Sequence, residues 1–333
     1  MKKSLFLGLA VAAMFGTNAM ADTLDSVKKN DHVKCGVSTG LAGFSAADEK
    51  GEYQGIDVDV CRAVAAATLG DSKKVKFIPL TAKERFTALQ SGEIDMLSRN
   101  TTWTLTRDAS LGLNFAGVNY YDGQGFMVSK ALGVSSAKEL DGAAVCIQAG
   151  TTTELNLSDY FKANGMSFKA VTYDTSDQTI KGFEAGRCDM LTSDQSQLYS
   201  LRIKLAKPDD AIVLPEVISK EPLGPVVRQG DDKWFNIVRW SLNAMINAEE
   251  MGITKANVAS MKDSKDPATQ RMMGGQGEKL GLDDSWSYNI ISQVGNYGES
   301  FEANVGSGSP LKIGRGLNAL WNNGGIMYAP PIR

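Results

Sequence analysis

Along the chain, short apolar runs alternate with amphipathic stretches and Gly-rich turns. Val33–Val37 (VKCGV), Lys74–Pro79 (KVKFIP), Ile94–Leu97, Gln124–Val128, Ala144–Ile147, Val171–Tyr173, Cys188–Leu191 and Ile212–Leu214 are strand-like. Helices are predicted at Val58–Leu69, Lys83–Gln90, Glu154–Ala163, Ser176–Glu184 and Trp234–Glu250. In the last, Phe235, Val238, Leu242, Met245 and Ile246 recur at a spacing that packs one helix face into a core. Strands alternating with helices predict an α/β fold with mostly parallel sheets.

One unit occurs twice. Ser91–Asn100 (SGEIDMLSRN) and Ala185–Asp194 (AGRCDMLTSD) share G-x-x-D-M-L at an offset of 94 residues, each behind an amphipathic helix. A repeated helix–strand unit predicts two similar lobes, and ligands of open α/β sheets sit outside the carboxyl ends of strands. The polar residues after each strand, Asn100–Arg107 and Thr192–Asp194, are therefore the first candidate site. Ala149–Thr153 (AGTTT) opens a helix with free N–H groups and hydroxyls, which suits either an anion or plain N-capping. Asp57 and Asp59 fall at the first turn of the helix opening near Ile56, where capping is the preferred reading over a metal site.

Composition narrows the class. With 333 residues, 43% hydrophobic and 22% charged, the chain has room for two domains and the make-up of a soluble globular protein. A formal charge of −3 without a basic cluster argues against nucleic acid as a partner. Met1–Ala21 reads as a secretory signal: Lys2 and Lys3, then the apolar Leu5–Gly16, then the small-residue cleavage site Ala19-Met20-Ala21. The apolar part is short of the ~18 residues that a membrane span needs, and no other segment reaches that length. The expected mature chain starts at Asp22, in an oxidising compartment.

Export gives the four cysteines meaning. Three pairings are open to Cys35, Cys61, Cys146 and Cys188. Pairing inside each lobe, Cys35–Cys61 and Cys146–Cys188, avoids locking the lobes together and is the expected arrangement. No C-x-x-C spacing suggests zinc or thioredoxin-type chemistry, and the single histidine, His32, removes His-based triads and His-rich metal sites. Neither a metal nor a cofactor is expected.

Several motifs together carry a resemblance. Gly55–Val60 (GIDVDV) with the Val64-Ala65 helix is similar to the signature of bacterial family 3 extracellular solute-binding proteins, the type II periplasmic proteins of polar amino-acid ABC transporters. Leu80–Arg107, Gly123–Phe126 (GQGF) and Gln148–Glu154 (QAGTTTE) resemble the general L-amino-acid-binding branch. The likeness covers nearly all of the mature chain; Thr68 departs from it, where the signature has an apolar or small residue. It implies two α/β lobes joined by two crossing segments. Lobe one would hold residues 22–126 plus 226–333, and lobe two residues 127–225.

The resemblance also implies roles. Arg107 matches the arginine that binds the ligand α-carboxylate, for which a guanidinium fork is suited. Asn100 and Thr102 complete carboxylate and amino-group binding. Thr151 and Thr152 meet the carboxylate at a helix N-terminus, and Asp194 neutralises the α-ammonium. Phe44, Ser38 and Thr39 would face the side-chain pocket, core burial being the other reading of Phe44. Gln148, a neutral amide, fits broad acceptance. The implied protein is a monomeric periplasmic receptor that delivers L-amino acids to a membrane permease, and not an enzyme. The alternative is an exported enzyme on the same scaffold, such as a cyclohexadienyl dehydratase. That chemistry needs a positioned general acid, and the pocket positions offer Ser, Thr, Asn and Gln, with Asp194 committed to the ammonium. A sensor module with a separate membrane partner is a third reading.

Overall fold

The computed structural model describes residues 22–333, so the signal sequence expected over Met1–Ala21 lies outside the described residues. Helix α1 (Thr23–Asn30) leads into strand β1 (Val33–Ser38), the short hairpin β2 (Ala46–Ala47) and β3 (Tyr53–Gln54), and helix α2 (Ile56–Leu69). Then follow β4 (Val75–Leu80), α3 (Arg85–Gln90), β5 (Met96–Leu97), α4 (Leu105–Ser110) and β6 (Leu113–Phe115). The chain crosses through β7 (Tyr120–Asp122) into β8 (Gln124–Ser129), β9 (Ala144–Gln148), α5 (Thr153–Ala163), β10 (Lys169–Tyr173) and α6 (Ser176–Glu184). After β11 (Met190–Asp194), α7 (Gln195–Arg202) and β12 (Ala211–Val213), it returns by β13 (Glu221–Leu223) and β14 (Val226–Arg228). It closes with α8 (Asp232–Glu250), α9 (Val258–Met261), α10 (Pro267–Met273), α11 (Trp286–Gln293) and α12 (Tyr297–Asn304).

Two five-stranded sheets result, in the orders β4-β1-β5-β14-β6 and β10-β9-β11-β8-β12. The first three strands of each are parallel, and the fourth, β14 or β8, is an antiparallel strand that arrives just after a crossing. The two crossings pair with each other: β7 and β13 run antiparallel, with Asp122 opposite Glu221 and Tyr120 opposite Leu223. β5 and β11, the strands of the repeated sequence unit, hold the same third position in their sheets.

The apolar runs follow from burial on both faces of each sheet. Along β8 and β9, Phe126, Val145 and Ile147 pack on one side with Leu157 and Phe161 of α5. Met127 and Cys146 turn to the other side, against Ile180 of α6 and Leu198 of α7, as period-two alternation requires. α6 begins with a capping box in which Thr175 and Gln178 satisfy the free backbone donors. The largest core lies around α2, α8, α11 and α12 and includes Trp234, Trp286, Tyr297 and Phe301. No helix among the described residues is long and apolar enough to cross a membrane.

Both disulfides are present, Cys35–Cys61 tying β1 to α2 and Cys146–Cys188 tying β9 to the segment before β11. They close loops with sequence separations of 26 and 42 residues. The C-terminal tail, to which the sequence assigns no role, clasps the crossing: Asn318 accepts from Tyr121 N at 2.7 Å and donates to Tyr121 O at 3.1 Å. Arg315 anchors that turn through Glu249 at 2.9 and 3.1 Å.

Candidate functional site

The residues that follow β5, β9 and β11 converge on one small cavity between the two sheets. Of the residues expected from the sequence, Asn100, Thr102, Gln148, Thr151, Thr152 and Asp194 line it. Arg85, Arg99, Thr153, Ser193 and Gln197 complete the wall. A roomier groove lies at the outer rim of the second sheet near Leu132, Phe183 and Leu205. It lacks the facing buried charges that mark the interlobe cavity.

Asp57 builds one side of the site. No side chain caps α2, so the capping expectation fails for Asp57. Its carboxylate is buried instead, accepting from Asn100 N at 2.7 Å, Asn119 Nδ2 at 2.8 Å and Ser98 Oγ at 3.2 Å. These bonds hold the turn after β5, where Asn100 takes a left-handed φ of 30° that most residues avoid. Burial pushes the Asp57 carboxyl up, and the Asn119, Asn100 and Ser98 bonds pull it back. Asp59 likewise serves packing, accepting from Ser300 and Asn304 of α12.

Three arginines gather on the same side. Arg85, at the start of α3, is 2% exposed and donates to Thr101 Oγ1 and across the gap to Gly150 O, both at 3.3 Å. Its Nε has no partner. Arg99 donates to Leu80 O at 2.9 Å. Arg107 is buried behind Thr102, its Nη1 on Thr102 O at 3.0 Å and its guanidinium 5.1 Å from the Phe86 ring centroid; it does not line the cavity. Burial lowers all three pKa values, Arg85 well below the usual guanidinium range and Arg99 to about 10.

Opposite them stands Asp194, the last residue of β11, 7% exposed. Burial raises its pKa well above the ordinary carboxylate range; Asp122 and Glu221 push the same way, while Arg85 and Arg107 oppose them. Among the described residues, no ion pair within 4.0 Å joins Asp194 to any of the three arginines. Buried charges of both signs thus face one small space without neutralising each other directly, which is costly until something fills it.

The two sides are drawn together. Asn100 Nδ2 donates to Gln197 Oε1 at 3.1 Å, Ser200 to Ala42 O at 2.7 Å and Lys204 to Gly40 O at 3.0 Å. Lys83 pairs with Asp174 at 2.6 Å on the rim. The Gly-rich loop after β1 therefore serves as a contact between lobes through its backbone. Phe44 is not in the cavity wall: its ring is 1% exposed and edge-on to Tyr120 at 5.2 Å in the main core, which corrects the pocket placement. The turn at Gly43, φ 82°, aims the ring inward, and burying an aromatic ring is worth ~2–3 kcal/mol. Ser38 is held by its N–H on Ser45 Oγ, Thr39 is exposed, and neither lines the cavity.

Thr151 and Thr152 do not cap α5 with their hydroxyls. Thr151 Oγ1 donates to Gln148 O at 2.8 Å and Thr152 Oγ1 to Glu221, leaving α5 without a side-chain cap. Gln148 is oriented by Asp174 O at 3.2 Å. Sequence reasoning missed Arg85, Arg99, Gln197 and Glu221. Arg99 adjoins Asn100 and Glu221 adjoins the crossing segment at Pro222, so proximity to predicted positions was the available signal.

A model of the bacterial extracellular solute-binding proteins, family 3, matches residues 33–256. The chain belongs to that family. Among family 3 relatives, it is 59% identical to the general L-amino acid-binding periplasmic protein AapJ of Rhizobium johnstonii, over 99% of this chain and 98% of that one. It is 55% identical over the full length of both chains to the glutamate/glutamine/aspartate/asparagine-binding protein BztA of Rhodobacter capsulatus. A solved family structure, an ABC transporter periplasmic binding protein from Brucella ovis with glutathione bound, superposes with a TM-score of 0.92 at 58% identity. It covers 94% of this chain and 100% of that chain.

Proposed function

We propose that this family 3 protein is the exported substrate-binding component of an amino-acid ABC importer, holding a free L-amino acid between its lobes and presenting it to a membrane permease. The observation that carries the reading is the interlobe cavity with buried arginines on one side and buried Asp194 on the other, not paired with each other. A zwitterion supplies both missing partners at once. Arg85 and Arg99 in the cavity wall, with Arg107 set just behind it at Thr102, together serve the α-carboxylate and any side-chain carboxyl or amide oxygen. Asp194, Asn100 and Thr102 serve the α-ammonium, and the uncapped start of α5 at Thr151–Thr153 offers N–H groups to the carboxylate. Gln148 adds a neutral amide.

The named relatives support a broad range. Glutamate, glutamine, aspartate, asparagine and the γ-glutamyl end of glutathione share a free α-amino and α-carboxylate head with a carbonyl further out. The extra arginines suit that carbonyl. We place lobe one at residues 22–126 plus 226–333 and lobe two at residues 127–225, next to the paired crossing strands β7 and β13, with Met1–Ala21 as a cleaved signal and the mature protein a monomer in the periplasm. Thermal unfolding of protein stripped by unfolding and refolding tests the function. An L-amino acid at 100 times its dissociation constant adds about 2.7 kcal/mol. Shifts with acidic and amide L-amino acids but not D-forms support the reading; absence of any shift refutes it.

A further inference from the structure

We propose that Glu221, which stands behind the cavity wall, sets the hydrogen-bond polarity of the ammonium subsite; this rests on the amino-acid reading above. Glu221 lies on β13, is 1% exposed and receives four hydrogen bonds. Its Oε2 accepts from Thr102 Oγ1 at 2.6 Å and from Thr152 Oγ1 at 2.9 Å. Its Oε1 accepts from Asn156 Nδ2 at 2.6 Å and from Ser219 Oγ at 2.7 Å.

A threonine hydroxyl has one hydrogen to give. Thr102 and Thr152 give theirs to Glu221, so toward the cavity both present only lone pairs. Lone pairs attract an ammonium and repel a carboxylate. Together with Asp194 they make a three-acceptor subsite, and the carboxylate end is left to the arginines and the backbone at the start of α5. Asn156 and Ser219 do not line the cavity and hold the carboxylate group from behind. One threonine precedes the first crossing and the other follows it, so the pair converges on Glu221 only when the lobes are closed. Glu221 is thus a positioning residue, acting on the ligand through two hydroxyls.

Titration calorimetry on the refolded, ligand-free protein compares L-glutamate with glutarate, which keeps both carboxylates and lacks the amino group. In Glu221→Leu, affinity for L-glutamate falls about 10- to 100-fold, the range for lost hydrogen bonds to a charged group, while glutarate changes by less than about threefold. The selectivity ratio therefore collapses. An equal loss for both ligands would mean a purely structural role and would overturn the proposal. Should Glu221→Leu fail to fold, Thr152→Val decides: the ratio falls at least about fivefold if the hydroxyl is an ammonium acceptor. An unchanged ratio in that variant overturns the proposal. Wild-type protein that binds no L-amino acid would overturn the functional reading, and this one with it.

Discussion

Asp194→Asn is the substitution for which the structure predicts opposite effects on stability and on binding. The Asp194 carboxylate is buried, makes no ion pair within 4.0 Å among the described residues, and is pushed up by burial, Asp122 and Glu221. Its charge is a liability in the empty protein, and asparagine removes it at nearly the same volume. Asparagine leaves a polar group there but removes the charge. Raising a carboxyl pKa by one unit costs about 1.4 kcal/mol of stability above the raised value, so the empty variant is more stable by at least about that amount. At roughly 2–4 °C per kcal/mol, the melting midpoint rises by a few degrees. Binding moves the other way. Removing one member of a buried, hydrogen-bonded charge pair costs about 2–5 kcal/mol, or roughly 30- to 5,000-fold in affinity.

The same carboxyl sets a pH dependence. Its pKa is raised on folding, so the folded chain holds that proton more tightly than the unfolded chain. The stability it contributes is present at low pH and is lost as pH rises through the raised value. An incoming ammonium favours the ionised form, so binding releases a proton below that pH and weakens as pH falls. Calorimetry in two buffers of different ionisation enthalpy measures the released proton, and scanning calorimetry measures the midpoint. An Asp194→Asn protein that binds L-amino acids as tightly as wild type, is no more stable when empty and keeps the same proton release would refute the assignment.

Arg107→Ala lowers affinity for L-amino acids by about 10- to 100-fold, because the carboxylate end loses the charge held behind the wall and Thr102 O loses its donor; isothermal titration checks it, and wild-type affinity would contradict it. Arg85→Met weakens glutamate and glutamine more than alanine, since Arg85 is one of the arginines in the cavity wall and a side-chain carbonyl needs a donor beyond those that the α-carboxylate takes; equal losses across the three would contradict that reading. Phe44→Ala costs about 3–5 kcal/mol in denaturant unfolding, while affinity in the folded variant stays within about threefold, as expected of core packing away from the wall. Reducing both disulfides removes up to about 3–4 kcal/mol each in the chain-entropy picture, with ligand selectivity unchanged, because each bond stays within one sheet and its helices.

Local pattern carried the fold far. Strands buried on both faces show as continuous apolar runs, and the doubled G-x-x-D-M-L unit placed β5 and β11 at equivalent positions, bringing Asn100 and Asp194 to one cavity. Residues whose role depends on distant partners were not legible. Arg85 sits in KERFTALQ among charged neighbours, like a solvated helix position, and is buried because Gly150 closes over it from the other lobe. Asp57 has the sequence place of a helix cap; Ser98 and Asn119, 41 and 62 residues away, draw it inward. Glu221 is defined by Thr102 and Thr152, 119 and 69 residues distant, and nothing near Pro222 announces them. Phe44 follows a Gly-rich stretch, and the direction of its ring is set by the core it meets.

If unpaired buried charges of both signs await a zwitterion, ligands capped at one end or the other lose their affinity. Titration of the refolded, ligand-free protein with L-glutamine, its N-acetyl derivative and its α-methyl ester removes one ligand charge at a time. Free L-glutamine binds tightly, and each capped form loses about 100-fold or more. Capped and free ligands binding with equal affinity would contradict the zwitterion reading.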